Sequence, residues 1–459
     1  MFQKACNTVL AFWLVFQIQF SLCKEETIFR DVAIIGGGAS GTFAAIKLKD
    51  QGRSIIVIEK ESILGGHTNT YRDPATRQTA EYGVQIFHNQ QIVKDFFKRL
   101  NISWTLEILQ DDPFPPVFLD PVTAEPVEYT NPDPTEALMA YAAQLLKYPG
   151  LNTGFFLPDH VPEDLLLPFG EFVEKYPEIK NGTFIAFSYG QGLGDFLKLP
   201  TLYFFKNFGL DVLQGIANGF LVTASHNNYE IYARAAKVLQ RDLLLNSVAI
   251  STIQRDDNGV DLIIRTPNGK NRVRAKKLLI TIPPKLENLH NFALDHCETT
   301  VFRKFTNTGY YSALVNNTGL PPNFTSYSVS PDTPQKIPIL PGVYGVIPTR
   351  IDGVSAVKYG SPSSLTDDYV KGEIISYIKK LQDNGHADQV QGDPTFVAYA
   401  NHAPFELNVS PDEIARGFYR DLYSLQGYRS TWYTGAAFHT QDSSMLWNFT
   451  DSQVLPLLF

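Results

Sequence analysis

The sequence predicts an α/β protein: a Rossmann-type nucleotide-binding domain, discontinuous along the chain, with an inserted α+β domain. Three observations carry this reading. Near the N-terminus an apolar run breaks into glycines, continues as a helical pattern and is followed by a second apolar run ending in an acid. Strand-like segments of matching character return much later and again near the C-terminus. The length, 459 residues, is about three times the ~150 of a typical domain. With 44% hydrophobic and 19% charged residues the chain can bury a core, which excludes wholesale disorder.

The first segment reads as an address. Lys4 precedes an apolar stretch from Val9 to Leu22, 14 residues interrupted by Gln17 and Gln19. A membrane-spanning helix needs about 20 apolar residues, so the stretch fits the apolar region of a signal peptide, with Ser21 and Cys23 as the small residues before cleavage at Lys24. An uncleaved signal anchor is the alternative, and no later run is long enough for a stable membrane span. Six Asn-x-Ser/Thr sequons, at Asn101, Asn181, Asn316, Asn323, Asn408 and Asn448, suit a glycoprotein entering the secretory pathway. Once Cys6 and Cys23 leave with the signal, Cys297 stands alone, so no intrachain disulfide is expected. The nine histidines show no ligand spacing, and no metal site is expected.

The strongest motif runs from Asp31 to Gly66. Val32-Ala-Ile-Ile35 reads as a buried parallel strand and breaks into Gly36-Gly37-Gly38-Ala39-Ser40-Gly41, a G-x-G-x-x-G turn opening a helix. Gly36 permits the tight turn, Gly38 lets the backbone approach a pyrophosphate, and Gly41 allows close helix–strand packing. The helix N-terminus, at Ala39 and Ser40, offers free N–H groups to the phosphates. The second strand, Ser54 to Ile58, ends in Glu59, placed to accept from ribose hydroxyls; an acid there disfavours a 2′-phosphate and argues against NADP.

The motif alone does not separate NAD from FAD, but three later segments lean towards FAD. Leu64-Gly65-Gly66-His67-Thr68-Asn69-Thr70-Tyr71 supplies a second glycine pair. Val248 to Arg255, the turn Asp256-Asp-Asn-Gly259 and Val260 to Ile264 read as strand–turn–strand, continuing into Lys277-Leu-Leu-Ile-Thr-Ile-Pro-Pro284. Trp432-Tyr-Thr-Gly435-Ala-Ala-Phe438 precedes a helix, Ser443 to Phe449, that Asp442 or Ser443 could cap. That helix N-terminus, aimed at the flavin C2 carbonyl, would stabilise negative charge on the reduced ring.

In this order the segments resemble the FAD-dependent amine-oxidase-like superfamily, and in particular its fungal beta-cyclopiazonate dehydrogenase branch. The resemblance rests on residues 65–71, on Glu81-Tyr-Gly-Val-Gln-Ile-Phe-His-Asn89 and on Trp432-Tyr-Thr-Gly-Ala-Ala-Phe-His439. It implies bound FAD, C–H oxidation of an organic substrate and service in secondary metabolism. It also implies Gly83 and Val84 beside the isoalloxazine ring and Val248 against the adenine. There are two departures. His67 stands where better-known amine oxidases have Arg, and would contact flavin or phosphate or, alternatively, carry a covalent 8α link. The lysine that amine oxidases often hold near flavin N5 has only Lys285 as a nearby candidate, and its spacing matches poorly.

The expected organisation is a signal peptide (1–23), an FAD-binding domain (24–90, 232–290 and 426–459) and a substrate-binding domain (91–231 and 291–425). Helical patterns fall at Val93–Leu100, Thr135–Lys147, Tyr229–Leu239, Tyr369–Leu381 and Asp412–Leu425. The 47 acids against 39 Lys plus Arg, a net charge of −8, make nucleic acid an unsuitable partner. The 32 Phe, 22 Tyr and 4 Trp suit thick cores and also a pocket for a planar, apolar ligand.

The expected function is therefore FAD-dependent hydride abstraction from a C–H of an apolar, aromatic or nitrogen-containing small molecule. Ring closure could follow, and dioxygen is the expected acceptor in a secreted setting. The alternatives are a polyamine or simple amine oxidase, a redox-neutral flavin-dependent double-bond isomerase, and a flavoprotein without turnover. No catalytic acid or base stands out.

Overall fold

The computed structural model describes residues 26–108, 115–388, 390 and 392–459. The leader read from Lys4 to Cys23 lies outside them.

One lobe is built on a seven-stranded sheet. Its order is Leu243–Leu244, Ile55–Ile58, Glu26–Ile35, Gly269–Ile280, Gly259–Thr266 and Val248–Asp256, and Thr431–Tyr433 joins the end of Gly269–Ile280. Ile35 aligns with Ile58 on one side and Ile280 on the other, both in parallel, and Ile280 aligns with Tyr433. Four strands from three separated stretches thus end at one edge, where open α/β sheets bind ligands. Val32, Ala33 and Ile34 are fully buried, as a central parallel strand covered on both faces requires.

The helix Ala39–Asp50 packs beside this sheet, and its small residues Ala44 and Ala45 are fully buried. Trp447, from the helix Ser443–Phe449, stacks on Phe43 at 6.0 Å and donates from Nε1 to the Ala39 carbonyl at 3.2 Å. Phe96, on the helix Gln91–Arg99, meets both Phe43 (5.0 Å) and Trp447 (4.8 Å), so the helix that opens the first insertion packs on this lobe. A buried Arg255–Glu298 pair, with the Tyr433 hydroxyl donating to Glu298 Oε1 at 2.7 Å, ties the meander to the C-terminal strand.

The second lobe has a six-stranded sheet in the order Thr395–Asn401, Gly309–Asn316, Val354–Ser361, Gly342–Pro348, Ser326–Ser328, Val117–Leu119. The last strand comes from the first insertion and the others from the second. The helix Asp367–Asp383 covers one face, burying Val370, Ile374, Ile378 and Leu381 against Tyr311, Ala313, Val315, Val357 and Tyr359. Strand alternation then turns Tyr310, Ser312 and Lys358 to the other face.

Most insert aromatics are core: Tyr203, Phe204, Phe205 and Phe208 are at most 2% exposed, and Phe169 stacks on Phe204 at 3.7 Å. The helix expected over Asp412–Leu425 is instead two short ones, Pro411–Ala415 and Phe418–Tyr423. Gly417, at φ +89°, breaks it, because a left-handed residue cannot continue a right-handed helix.

Candidate active site: a nucleotide cradle opening on an aromatic cavity

The cradle is shaped by backbone approaching backbone. Gly36 sits at φ +101°, and a Cβ on Gly41 would lie 2.0 Å from the Gly36 carbonyl oxygen, so only glycine fits at Gly41. A Cβ on Gly66 would come within 2.9 Å of the Gly38 Cα, which brings the two glycine motifs face to face. Glu59 clamps the turn: its carboxylate accepts from the Gly37 N–H at 2.6 Å and the Glu61 N–H at 2.8 Å. Each oxygen keeps a lone pair for a ribose hydroxyl. The Thr281 hydroxyl donates to the Ile35 carbonyl at 2.9 Å, a support for the turn that sequence reading quoted in its motif but did not single out. Val248 begins the strand beside Glu59, with the Ser247 N–H on the Glu59 carbonyl at 2.8 Å.

These residues fit a dinucleotide. The Ser40 hydroxyl, in the first turn of the helix, is buried without a protein partner, as a phosphate-facing group would be. Ala39 and Ser40 begin that helix, and its N-cap Gly38 offers no side-chain cap, leaving the terminal N–H groups for an anion.

The second glycine segment carries the site towards the other lobe. The Val84 N–H donates to the His67 carbonyl at 3.1 Å, and a Cβ on Gly83 would lie 2.0 Å from that same oxygen. Gly66, His67 and Thr68 therefore stand directly beside Gly83 and Val84. Gly435, at φ +119°, turns against Thr281. Ser443 opens the C-terminal helix, and it is Asp442 that caps it, accepting from the Met445 N–H at 2.9 Å. Phe438 is 1% exposed and stacks on Tyr433 at 5.9 Å, so its ring belongs to the packing beneath the site.

Beyond these loops lies a cavity of about 1060 Å³ between the lobes. His67, Gly83, Val84 and Ser443 form one side; Phe118, Tyr129, Phe184, Phe220 and Ile347 supply apolar wall. His67 is exposed to the cavity and meets His402 edge-on at 4.8 Å. Desolvation, with the charge of Lys60, brings its pKa down to about 4. His402 is held well below the ordinary histidine value by burial and by His67; its Nε2 lies 3.0 Å from the Ser312 hydroxyl. Both imidazoles are neutral at pH 7.

His88 differs. Burial disfavours its charge, but Asp442, with Nε2 3.2 Å from Oδ2, and Asp211 outweigh that and raise its pKa. Sequence reading missed His88 as a site residue, although it falls inside the 81–89 motif. Lys285, whose spacing already matched poorly, is a loop lysine: it donates to the Phe305 carbonyl at 3.3 Å and lies 3.9 Å from Glu287, outside the cavity lining. Lys358 is the lysine that reaches the cavity, from a strand with no sequence signal of function. Among the described residues no cluster could hold a metal ion, and no helix is long and apolar enough to cross a membrane.

A sheet edge shaped for a nucleotide, leading to a cavity walled in part by aromatic rings, is the arrangement of a cofactor-dependent oxidoreductase. The NAD(P)-binding Rossmann-like domain family matches residues 34–100. The chain is 42% identical over 448 residues to FAD-dependent oxidoreductase oblC of Cochliobolus heterostrophus, covering 95% of this chain and 92% of that protein. It is 34% identical over 435 residues to beta-cyclopiazonate dehydrogenase of Aspergillus oryzae, covering 93% and 92%. Its fold matches a fatty acid isomerase from P. acnes with a TM-score of 0.73 at 20% identity, covering 93% of this chain and 98% of the other. The chain belongs to the family of FAD-dependent oxidoreductases that includes beta-cyclopiazonate dehydrogenase, and it has the two-lobed architecture of the flavin amine oxidases. FAD is its cofactor, and the cradle around Gly36–Gly41, Glu59 and Gly66 fits it.

Proposed function

We propose that the protein removes a hydride from a C–H bond of an apolar, aromatic or nitrogen-containing small molecule, as a step in making a secondary metabolite. The observation that carries this reading is the cavity. It opens onto the second glycine segment, aromatic rings including Phe184, Tyr189 and Phe220 form part of its wall, and its described lining holds one carboxylate, Asp442, already engaged with His88. Bound FAD supplies the hydride acceptor. The chain's own residues would bind and orient: the loops at Gly66–Thr68 and Gly83–Val84 would hold one side of the cofactor, and rings such as Phe184 and Phe220 would give a flat substrate an apolar face to lie against. The helix Ser443–Phe449 begins at the cavity lining, where its positive dipole end would favour negative charge on a reduced flavin. A nucleophile within the same substrate would allow ring closure after oxidation.

Among the described residues the wall offers no free carboxylate to pair with a cationic polyamine, which would leave aromatic faces alone to hold one. We further propose dioxygen as acceptor and passage through the secretory pathway. Asn101, Asn181, Asn323 and Asn448 are exposed and open to a glycan, whereas the Asn408 amide donates to the Glu406 carbonyl at 2.9 Å and Asn316 accepts from Thr395. The test is anaerobic mixing of the holoenzyme with candidate aromatic substrates. Bleaching of the flavin band at about 450 nm, with colour and hydrogen peroxide returning in air, supports the reading. Product formed without bleaching or oxygen uptake means a redox-neutral isomerase; bleaching only by simple amines means an amine oxidase.

A further inference from the structure

Among the described residues lining the cavity, Lys358 is a charge without a compensating partner. It sits on Val354–Ser361 opposite Ser312, and its neighbours Val357 and Tyr359 are buried under the helix Asp367–Asp383, so the pleat turns Lys358 towards the other lobe. The residue is 7% exposed and lines the cavity. Among the described residues its ammonium has no hydrogen-bond or ion-pair partner. The described lining otherwise contains Asp442, paired with His88, no Glu and no Arg, and its histidines His67 and His402 are neutral.

A buried ammonium without a counter-ion is costly. Burial lowers its pKa to about 8, so it is still mostly charged at neutral pH. The geometry points to a ligand-borne counter-ion, and we propose that Lys358 is the substrate-anchoring residue for an oxyanion, such as a carboxylate, carried on the apolar substrate. This rests on the oxidoreductase reading of the cavity and narrows it: the substrate is an apolar acid, and neither a neutral hydrocarbon nor an amine.

The test is titration of the wild-type holoenzyme with 2-naphthoate, 2-naphthamide and 2-(aminomethyl)naphthalene, read as perturbation of the flavin band. A charge-assisted hydrogen bond from a largely buried ammonium predicts about ten- to hundredfold tighter binding of naphthoate than of the amide, with the amine weakest. Lys358→Met should erase the preference while naphthamide affinity stays within a few-fold, and Lys358→Arg should keep most of it. Equal affinities in wild type, or an amine preference, overturn the proposal even if Lys358→Met fails to fold. It is also overturned if Lys358→Met keeps the naphthoate preference and shifts the flavin reduction potential instead, which would assign the lysine to the cofactor. Lys358-dependent naphthoate binding by an enzyme whose flavin no candidate substrate reduces would sink the oxidation reading and leave the anion site standing.

Discussion

The cradle and the cavity are built from different materials. In the cradle, main chain passes main chain so closely that a single methyl group has nowhere to go: at Gly41 it would meet the Gly36 carbonyl at 2.0 Å, and at Gly83 the His67 carbonyl at 2.0 Å. In the cavity, side chains from both lobes meet across open space. Cofactor binding should therefore respond to substitution as a switch, and substrate choice as a dial.

The largest effect is expected where that contrast is sharpest. Gly41→Ala should abolish FAD retention, seen as loss of the visible absorbance of the purified protein, because neither the carbonyl nor the helix can retreat without moving the sheet. At the junction of the two regions, Asp442→Asn keeps a good N-cap but removes the charge beside His88. His88 has a raised pKa, so its contribution to stability is present below the ordinary 6.5 and is lost as pH rises through the folded value. Asp442 has a lowered one, so its contribution is present above 3.8 and is lost as pH falls. The melting-temperature loss in Asp442→Asn should accordingly be greatest between about pH 4 and 6.5 and shrink on either side; Asp442→Ala should cost about 1 kcal/mol more throughout, from the missing cap.

Deeper in the cavity, Phe184→Leu should change KM for a cognate substrate several-fold and leave the flavin spectrum untouched, as steady-state kinetics with the holoenzyme would show. The smallest effect belongs to the exposed surface: Asn323→Gln should leave activity unchanged and, in protein from a eukaryotic secretory host, remove one glycan's worth of mass.

The same contrast explains what could be read before any coordinates. Gly36, Gly38, Gly41 and Glu59 serve a turn whose parts are close in sequence, so spacing reveals them. Lys358 was invisible because its meaning comes from being placed opposite Ser312 and in one cavity with His67, residues 46 and 291 positions away. Lys285 looked closer to the site because it follows the Thr281 motif, yet the chain turns there and its amine is spent on the Phe305 carbonyl. His88 stood inside a quoted motif, but only the fold brings Asp442 to it. The helix expected over Asp412–Leu425 failed for a local reason, the left-handed Gly417. Periodicity counts apolar positions and does not see a backbone reversal.

The central claim is that this chain binds FAD in the glycine cradle and delivers it to the cavity beside His67. The absorbance spectrum of the purified full chain, before and after acid precipitation, tests it most directly. A flavin band at about 450 nm is expected in the wild type and none in Gly41→Ala. Colour in the acid supernatant means free FAD, and colour retained in the wild-type pellet but not in His67→Ala means a covalent bond to His67. A well-folded wild-type protein that is colourless and cannot take up added FAD would contradict the account.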